Sequence, residues 1–177
     1  VHCKIDTGMG RQGILQEEAL ETLQFISRIT HLDLQGIYTH FPAADIPGDS
    51  FTHNQIKIFR QLLKQVDKAG YPYEMAHAAN SAAIVNYHDS TCDAVRPGLI
   101  TYGVWPVEND KSASLVKPVL RWETTIAQVR SLPAGATVGY GRTYTAEKPI
   151  KTAVLPIGYA DGYKYALSNK ADVLIGG

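Results

Sequence analysis

The sequence has few cysteines, no excess of charge of either sign and no long hydrophobic run. Its two cysteines, Cys3 and Cys92, indicate reduced cytosolic thiols rather than a disulfide framework. Lys plus Arg and Asp plus Glu number 17 each, so the composition indicates neither a nucleic-acid-binding surface nor an acidic disordered tail. No apolar run approaches the roughly 20 residues that a membrane-spanning helix needs. We therefore expect a packed globular protein that binds neither nucleic acid nor a membrane.

The sequence also lacks an initiator methionine and a signal sequence. Its first residues, "VHCKID", have the pattern of an interior strand, and its last residues, "ADVLIGG", stop within a strand-like pattern. We therefore expect these 177 residues to be a fragment of a longer chain.

The first part of the sequence, residues 1–110, alternates between strand and helix patterns. The strand-like segments are "VHCKID", "LQGIYTHF", "YEMAHAAN" and "DAVRPGLITYG", and the helical segments between them are "QEEALETLQFISRI", "HNQIKIFRQLLKQVDKAG" and "SAAIVNY". Thr52 is the expected N-cap of the second helix, and Gly70 is expected at its exit. This β-α-β order predicts a parallel sheet that is either part of a TIM barrel or a doubly wound sheet.

The second part, residues 111–177, has a different pattern. "GVWPVENDKSASLVKP" has the polar, proline-bearing composition of a linker, and helical periodicity is absent after it. The segments "LRWETTIAQVRSL", "ATVGYGRTYTA", "KTAVLPIGYADGY" and "ADVLIGG" alternate apolar with polar residues and are separated by glycine-containing turns. We expect a mostly antiparallel β domain.

A glycine-rich stretch, "KIDTGMGRQGI", matches the G-x-G-x-x-G fingerprint of dinucleotide binding at Gly8, Gly10 and Gly13. That fingerprint leaves the pyrophosphate unobstructed, whereas charged side chains such as Arg11 crowd this stretch. The acidic residue expected about 20 positions later would be Asp33, which precedes the next strand instead of ending it. We infer that the glycines have another purpose than NAD binding.

Polar residues of the first part cluster where strands are expected to end, and a barrel carries its active site at those strand ends. The residues concerned are Lys4, Asp6, His40, His77, Asn80 and Arg96. Each has a simpler interpretation by itself. His40 could be a satisfied buried histidine, Arg96 a structural ion-pair partner, and Ser81 the N-cap of the helix that follows.

Considered together, these residues indicate a binding site for a cofactor. Ser81 and the backbone of "PGLI" would offer hydroxyl and N–H groups to an anion, and Arg96 would face a flat heteroaromatic ring. That combination outlines a pyridoxal-phosphate site. His40 and His77 could be two metal ligands, but no nearby H-x-H, H-E-x-x-H or cysteine pair supports a metal, so none is expected.

Six motifs resemble, in order and spacing, the alanine racemase family. They are "KIDTGMGRQG", "THFPAAD", "HAANSAA", "VRPGLITYG", "TVGYGRTYTA" and "PIGYADGY". The resemblance implies an α/β protein with part of a (β/α)₈ TIM barrel, residues 1–110, followed by the start of a C-terminal β domain, residues 111–177. It also implies pyridoxal 5'-phosphate as cofactor and a head-to-tail homodimer with shared active sites.

The resemblance assigns roles in cofactor binding. Arg96 would hydrogen-bond the pyridine nitrogen and keep it largely unprotonated, because an arginine does not readily give up a proton. The phosphate would be held by Ser81 and by the backbone at Gly98 and Leu99. His40 and His77 would link Arg96 towards a catalytic tyrosine.

Other roles concern the substrate. Arg11 would bind its carboxylate and the phenolic oxygen of the cofactor, and the glycines would let the chain turn so that Arg11 reaches the site. Lys4 matches a lysine that is carbamylated in some members and then orients this arginine. Asp45 and Tyr159 match residues of a substrate corridor.

The catalytic tyrosine would be Tyr140, in "VGYGRTY", although by itself it could be an ordinary strand aromatic. Tyrosine is a weak acid, so a tyrosine base needs nearby positive charge. By resemblance, Tyr140 serves the L-face of the substrate and the cofactor-bearing lysine serves the D-face. That lysine belongs to an N-terminal motif absent from these residues, so the fragment alone is expected to be inactive.

The expected function is racemisation of L-alanine to D-alanine for peptidoglycan synthesis in a bacterial cytoplasm. One departure leaves the substrate open: the family usually has an arginine after "GYADG", where this chain has Tyr165 and, beside it, Lys164. A serine-preferring or broader racemase is therefore an alternative. Further alternatives are a related decarboxylase, a non-catalytic pyridoxal-phosphate-binding barrel and an unrelated barrel hydrolase.

Overall fold

The computed structural model describes residues 1–108 and 115–176. The chain divides into two compact units, Val1–Leu120 and Arg121–Gly177. Residues 109–114, which belong to the predicted linker, lie outside the described residues. None of the helices in the described ranges is both long and apolar enough to cross a bilayer.

The first unit contains a five-stranded parallel sheet. Its strands are β1 (His2–Asp6), β2 (Ile14–Leu15), β3 (Gly36–Tyr38), β4 (Met75–Asn80) and β5 (Ala94–Arg96), in the order β2-β1-β3-β4-β5. The helices are α1 (Ala19–Ser27), α2 (Ser50–Ala69) and α3 (Ser81–Asn86). The longer strands thus follow one another in chain order, as in a barrel.

The faces of the sheet distinguish the two predicted architectures. On β1, Cys3 and Ile5 are buried in one hydrophobic cluster that also contains Leu23 of α1 and Phe59 of α2. The alternate residues of β1 point away from this cluster, and they are polar. Helices therefore cover one face only, whereas a doubly wound sheet has helices on both faces. The structure favours the barrel arrangement.

The start of α2 differs from the expectation for Thr52. The N-cap is Asp49, whose carboxylate accepts hydrogen bonds from the backbone N–H and the hydroxyl of Thr52, each at 2.8 Å. Thr52 is therefore buried inside the first turn, and the expectation that it caps the helix is wrong. The exit is as predicted, because Gly70 ends α2 in the left-handed conformation with φ 73°.

The N-cap of α3 is Asn80, not Ser81, so the simple interpretation of Ser81 as a cap is wrong. The side-chain oxygen of Asn80 accepts the N–H of Ala83 at 3.0 Å. Ser81 is the first residue of the helix, and its hydroxyl is free for contacts with the chain that follows β5. The strand expected over 93–103 ends at Arg96, because Pro97 cannot donate to a ladder.

The second unit is antiparallel where it forms strands, as predicted. β6 (Gln128–Leu132) pairs with β9 (Ile150–Val154), and β7 (Thr137–Val138) pairs with β8 (Tyr144–Thr145). The strand expected at "ADVLIGG" is absent from residues 171–176. Alternation supplies one apolar face, but a strand also needs a neighbouring backbone to bond.

Candidate active site

The face of the sheet that helices leave uncovered carries the charged and ring-bearing side chains. From β1 these are His2, Lys4 and Asp6, which alternate with the core residues of the same strand. Tyr38 at the end of β3 and Arg96 at the end of β5 complete the group, together with His77 of β4. A single face thus collects polar residues from four strands.

Arg96 is the centre of this group. Its Nη1 donates to Nδ1 of His77 at 2.6 Å and to the carbonyl of His77 at 3.0 Å. Its Nη2 donates to the carbonyls of Thr39 at 2.6 Å and Ala78 at 3.1 Å, and to Nδ1 of His40 at 3.2 Å. Among the described residues, Nε of Arg96 has no hydrogen-bond partner. The Nε–H of Arg96 therefore remains available to donate to a ligand.

Within residues 1–108 and 115–176, no carboxylate forms an ion pair with Arg96. The salt bridge found in the described part of the chain joins Arg121 to Glu123 instead. Arg96 is half-buried, its guanidinium carbon lies 5.2 Å from the ring centre of Tyr38, and burial lowers its pKa while Tyr38 opposes that shift. The interpretation of Arg96 as an ion-pair partner is therefore wrong for these residues.

His77 lies in the middle of β4, not at the strand end where it was expected. It pairs with Tyr38 on one side and with Ala94 on the other. Its ring stacks on Tyr38, with the centroids 4.9 Å apart, and its Nε2 lies 2.8 Å from Nδ1 of His2. Burial, then the charges of Arg96 and His2, lower the pKa of His77 to about 4. His77 is therefore neutral at physiological pH.

His40 follows β3 by two residues and is half-buried. Burial lowers its pKa, and the charges of Arg96, Arg11 and Lys4 lower it further. Because a guanidinium only donates, Nδ1 of His40 accepts from Arg96 and the proton of the neutral ring lies on Nε2. His40 thus presents an N–H on its other side.

The glycine-rich loop folds around the carboxylate of Asp6. This carboxylate accepts the backbone N–H of Gly8 at 2.9 Å, of Met9 at 2.8 Å and of Gly10 at 2.9 Å. These hydrogen bonds, Gly8 first, lower the pKa of Asp6. N–H groups that would bind a pyrophosphate are thus already occupied, which supports the inference against NAD.

Gly8 and Gly13 lie so close to other parts of the chain that a side chain would not fit. A Cβ on Gly13, which has φ 110°, would lie 2.9 Å from the carbonyl oxygen of Lys4. A Cβ on Gly8 would lie 2.6 Å from the ring of Phe51. The loop can therefore turn back along β1, where β2 pairs with it, and it carries Arg11 at its exposed tip.

Lys4 and Arg11 are neighbours through this loop. Nζ of Lys4 donates to the carbonyl of Gln12 at 2.8 Å. Burial lowers the pKa of Lys4, Asp6 raises it, and the positive charges of Arg11 and Arg96 lower it again. The amine therefore lies near Arg11 and Arg96, and a negative charge at this position would interact favourably with both cations.

The predicted phosphate-binding groups come together at the ends of β4 and β5. Oγ of Ser81 accepts the N–H of Gly98 at 2.7 Å and of Ile100 at 3.4 Å. Leu99 begins the 3₁₀ turn Leu99–Tyr102 that places these N–H groups, and its side chain is exposed. A buried hydroxyl and two backbone N–H groups therefore share one small region.

The loop that carries Asp45 is attached to α3 and its flanks at three points. Asn80 donates to the carbonyl of Phe41 at 3.1 Å, and Asn86 donates to that of Ala44 at 2.9 Å. Tyr87 donates to the carbonyl of Ile46 at 2.5 Å. Asp45 itself is exposed.

The two predicted tyrosines belong to the second unit. Tyr140 begins the 3₁₀ turn Tyr140–Arg142, and Tyr159 begins the turn Tyr159–Asp161. Both side chains are exposed, that of Tyr140 completely.

Sequence reasoning missed His2 and Tyr38, which contact His77 on the open face. A simple signal would have found them: in a strand, residues two apart share a face. His2 is two residues before Lys4, and Tyr38 is two residues before His40. In the described ranges, no group of three or more His, Cys, Asp or Glu residues could hold a metal ion.

Comparisons with known proteins agree on one family. The family model described as "Alanine racemase, N-terminal domain" matches residues 1–106, and "Alanine racemase, C-terminal domain" matches residues 119–177. A relative from Desulforamulus reducens named alanine racemase is 41% identical over 179 residues, which cover 100% of this chain and 48% of the relative. The chain thus spans about half the length of the curated relatives it matches.

Solved structures are similar as well. A crystal structure of alanine racemase from E. faecalis has a TM-score of 0.85 and 34% identity, covering 94% of this chain and 45% of that chain. A structure of alanine racemase from Bartonella henselae with covalently bound pyridoxal phosphate has a TM-score of 0.76 and 28% identity, covering 93% and 44%.

Proposed function

The chain belongs to the alanine racemase family, and we propose that the full-length protein interconverts L- and D-alanine with pyridoxal 5'-phosphate. The resemblance inferred from the six motifs and the fold class, a TIM-barrel part followed by a β-domain part, are both confirmed. The observation that carries the proposal is Arg96, whose amino groups are held by backbone and imidazole acceptors while its Nε–H stays unpaired among the described residues.

The donor set fits the proposed cofactor. A pyridine nitrogen is an acceptor, and the unpaired Nε–H of Arg96 matches it. A phosphate needs several donors, and Ser81 with the N–H groups of Gly98 and Ile100 lies at the ends of β4 and β5. Both N–H groups donate to Oγ of Ser81 in this structure, and we propose that they donate to the phosphate instead when the cofactor binds. Leu99, the residue between the two N–H groups, is proposed as part of the same site. When bound, pyridoxal phosphate supplies the electron sink that makes the α C–H bond of the substrate acidic.

Arg96 also tunes the cofactor. A protonated pyridine would need an acceptor at this position, and a guanidinium has none. Arg96 would therefore hold the ring nitrogen of the bound cofactor unprotonated. We infer that this moderates the electron sink, which favours return of the proton to the α carbon over side reactions.

The substrate carboxylate is assigned to Arg11. Its exposed guanidinium lies on a tight glycine loop anchored by Asp6. We propose that carbamylation turns Lys4 into an anion beside this arginine, so that it holds the guanidinium in one orientation. Burial and the charges of Arg11 and Arg96 lower the pKa of Lys4 against the opposing effect of Asp6, which supports this assignment.

Tyr140 is assigned as the base on the L-face, and a lysine outside these residues as the base on the D-face. The Nε2–H of His40 would face the Tyr140 of a partner subunit, so that His40 links this tyrosine to Arg96. This requires a head-to-tail homodimer in which each site takes its barrel from one subunit and its β domain from the other. His77 holds the other amino group of Arg96, so the expectation that it lies between Arg96 and the tyrosine is wrong. Asp45 and Tyr159, both exposed, are assigned to the substrate corridor.

The remaining assignments are proposals too. A domain boundary after residue 110, a cytoplasmic location and a role in peptidoglycan synthesis stay predictions. A second candidate function is racemisation of serine or of a wider range of amino acids. It is favoured by Tyr165, an exposed residue where the family usually has an arginine.

The test is α-proton exchange in D₂O, followed by NMR, on the full-length protein with pyridoxal phosphate. L-alanine and L-serine are offered separately. Exchange with inversion establishes a racemase, and the ratio of the two rates identifies the preferred substrate. If neither amino acid exchanges while the cofactor is demonstrably bound, the racemase proposal fails and a decarboxylase or a non-catalytic binding protein takes its place.

A further inference from the structure

His2 joins Arg96 through a second imidazole. Nδ1 of His2 lies 2.8 Å from Nε2 of His77, and Nδ1 of His77 lies 2.6 Å from Nη1 of Arg96. The three side chains come from β1, β4 and β5 and lie in a row across the open face of the sheet. His2 is at the opposite end of β1 from the glycine loop, so it has no place in the proposed substrate site.

The row has one possible direction of hydrogen bonding. Arg96 only donates, so Nδ1 of His77 must accept. The proton of neutral His77 then lies on Nε2 and is donated to His2, whose Nδ1 accepts. His2 is thus the acceptor that keeps the ring of His77 turned with Nδ1 towards Arg96.

The structure provides space for His2 at this position. His2 pairs with Gly36 in the β1–β3 ladder, and a Cβ on Gly36 would overlap Nδ1 of His2. The φ of Gly36 is not in the left-handed region, so its backbone does not require glycine. What requires glycine at position 36 is the imidazole that lies over it.

Other contacts hold His77 from its faces. Tyr38 stacks on the ring at an interplanar angle of 11°, and His2 is tilted against it at 56°. The titratable or charged groups that contact the ring are therefore His2 from β1, Tyr38 from β3 and Arg96 from β5. Burial, then Arg96 and His2, lower the pKa of His77 to about 4, which agrees with the neutral tautomer.

We propose that His2 is a positioning residue for Arg96: it fixes the tautomer and orientation of His77, and Gly36 leaves the space its ring needs. Arg96 would thereby be held with its Nε–H available to the ring nitrogen of the cofactor. The expected change in kcat rests on the proposed function. The expected tautomer and hydrogen bonding of the His77 ring do not.

The experiment compares four variants of the full-length protein. His2→Phe keeps a ring but removes the acceptor, and Gly36→Ala keeps the imidazole but removes its space. His2→Asn keeps an acceptor near the position of Nδ1. His31→Phe makes the same change at an exposed histidine and serves as the control.

Two NMR signals and the kinetics are measured. In the parent we expect a slowly exchanging Nε2–H on His77 and a single tautomer. In His2→Phe and Gly36→Ala, this proton should exchange with water at least about 10-fold faster, since one hydrogen bond is lost. The ¹⁵N shift of the labelled pyridine nitrogen should move, and kcat should fall about 10-fold with little change in KM. His2→Asn and His31→Phe should stay close to the parent.

The outcomes separate this inference from the proposed function. An unchanged His77 signal and pyridine shift in both His2→Phe and Gly36→Ala would overturn the role of His2. A parent that binds the cofactor without racemising alanine or serine would overturn the proposed function. The His77 signals would still test His2 in that protein, because they require no turnover.

Discussion

Nη2 of Arg96 lies 2.6 Å from the carbonyl oxygen of Thr39, a residue that follows a strand two places away in the sheet. The same side chain bonds the carbonyls of His77 and Ala78 on the strand between them. Arg96 therefore ties three strands together while it presents Nε to the proposed cofactor. Structure and proposed chemistry depend on one guanidinium.

Arg96→Lys is expected to impair both catalysis and stability. A lysine has one ammonium group and cannot bond these carbonyls and imidazoles together while donating from a second position. We expect kcat to fall by about 100-fold or more and thermal stability to decrease. Steady-state kinetics and a melting curve measure this, with Arg28→Lys at the exposed end of α1 as the control. Parent-like values for Arg96→Lys would contradict the assignment.

Tyr140→Phe in the full-length protein should separate the two faces of the substrate. Removing the proposed L-face base should slow α-proton exchange from L-alanine by about 1000-fold and exchange from D-alanine far less. Exchange in D₂O measures both. Tyr144→Phe, in the same segment, should leave both rates unchanged. Equal losses from the two enantiomers would defeat the two-base assignment.

Lys4 is expected to react with carbon dioxide. Its neutral amine attacks the carbon, a proton leaves the nitrogen, and the product is a carboxylate beside Arg11. Burial lowers the pKa of Lys4, which increases the neutral fraction. Protein prepared with ¹³C-bicarbonate should show a carbamate resonance that is absent from Lys4→Gln and present in Lys57→Gln, which changes an exposed lysine of α2. A spectrum without that resonance would leave Lys4 as a plain cation.

Tyr87 should determine the order of the loop that carries Asp45. Its buried hydroxyl donates to the carbonyl of Ile46 and accepts the N–H of Asp49 at 2.7 Å. Tyr87→Phe removes both hydrogen bonds and leaves the two backbone groups only their mutual contact, from the N–H of Asp49 to the carbonyl of Ile46 at 3.3 Å. We expect this to cost about 1 kcal/mol of unfolding free energy. Hydrogen exchange should accelerate over residues 46–49, whereas Tyr71→Phe should not affect it. Unchanged protection in Tyr87→Phe would show that the other two contacts suffice.

The ionisation of His77 should make stability depend on pH. Its pKa falls from an ordinary 6.5 to about 4 in the folded chain because of burial, Arg96 and His2. The unfolded chain therefore binds more protons between these values, and stability rises with pH across that window. The folded chain has its full stability from this group above pH 6.5, and the free energy of unfolding decreases as the pH falls from 6.5 towards 4.

NMR titration of the His77 ring measures that pKa directly, and urea unfolding at several pH values measures the slope. His77→Gln should flatten the slope between pH 4 and 6.5, and His31→Gln should not. A His77 midpoint near 6.5 would contradict the buried, hydrogen-bonded state seen here.

The sequence by itself determined the order of elements, the parallel character of the first unit and the antiparallel character of the second. These follow from local properties: period 3.6 in α2, a left-handed glycine after it and alternation around β6 and β9. The sequence also predicted that Arg96, Ser81 and Gly98 lie at the same edge of the sheet, because residues at the ends of neighbouring parallel strands meet there.

Only the tertiary structure decided which side chains meet. His77 lies inside β4 instead of at its end, and its contacts with His2 and Tyr38 depend on the register of three strands. Asn80 is the N-cap of α3, so the hydroxyl of Ser81 can accept the N–H of Gly98. Serine and asparagine are both common N-caps, so the local sequence does not decide between them. Register and cap choice arise from contacts between distant parts of the chain, so no local pattern encodes them. The space over Gly36 is one example, since only the pairing of β1 with β3 fills it with an imidazole.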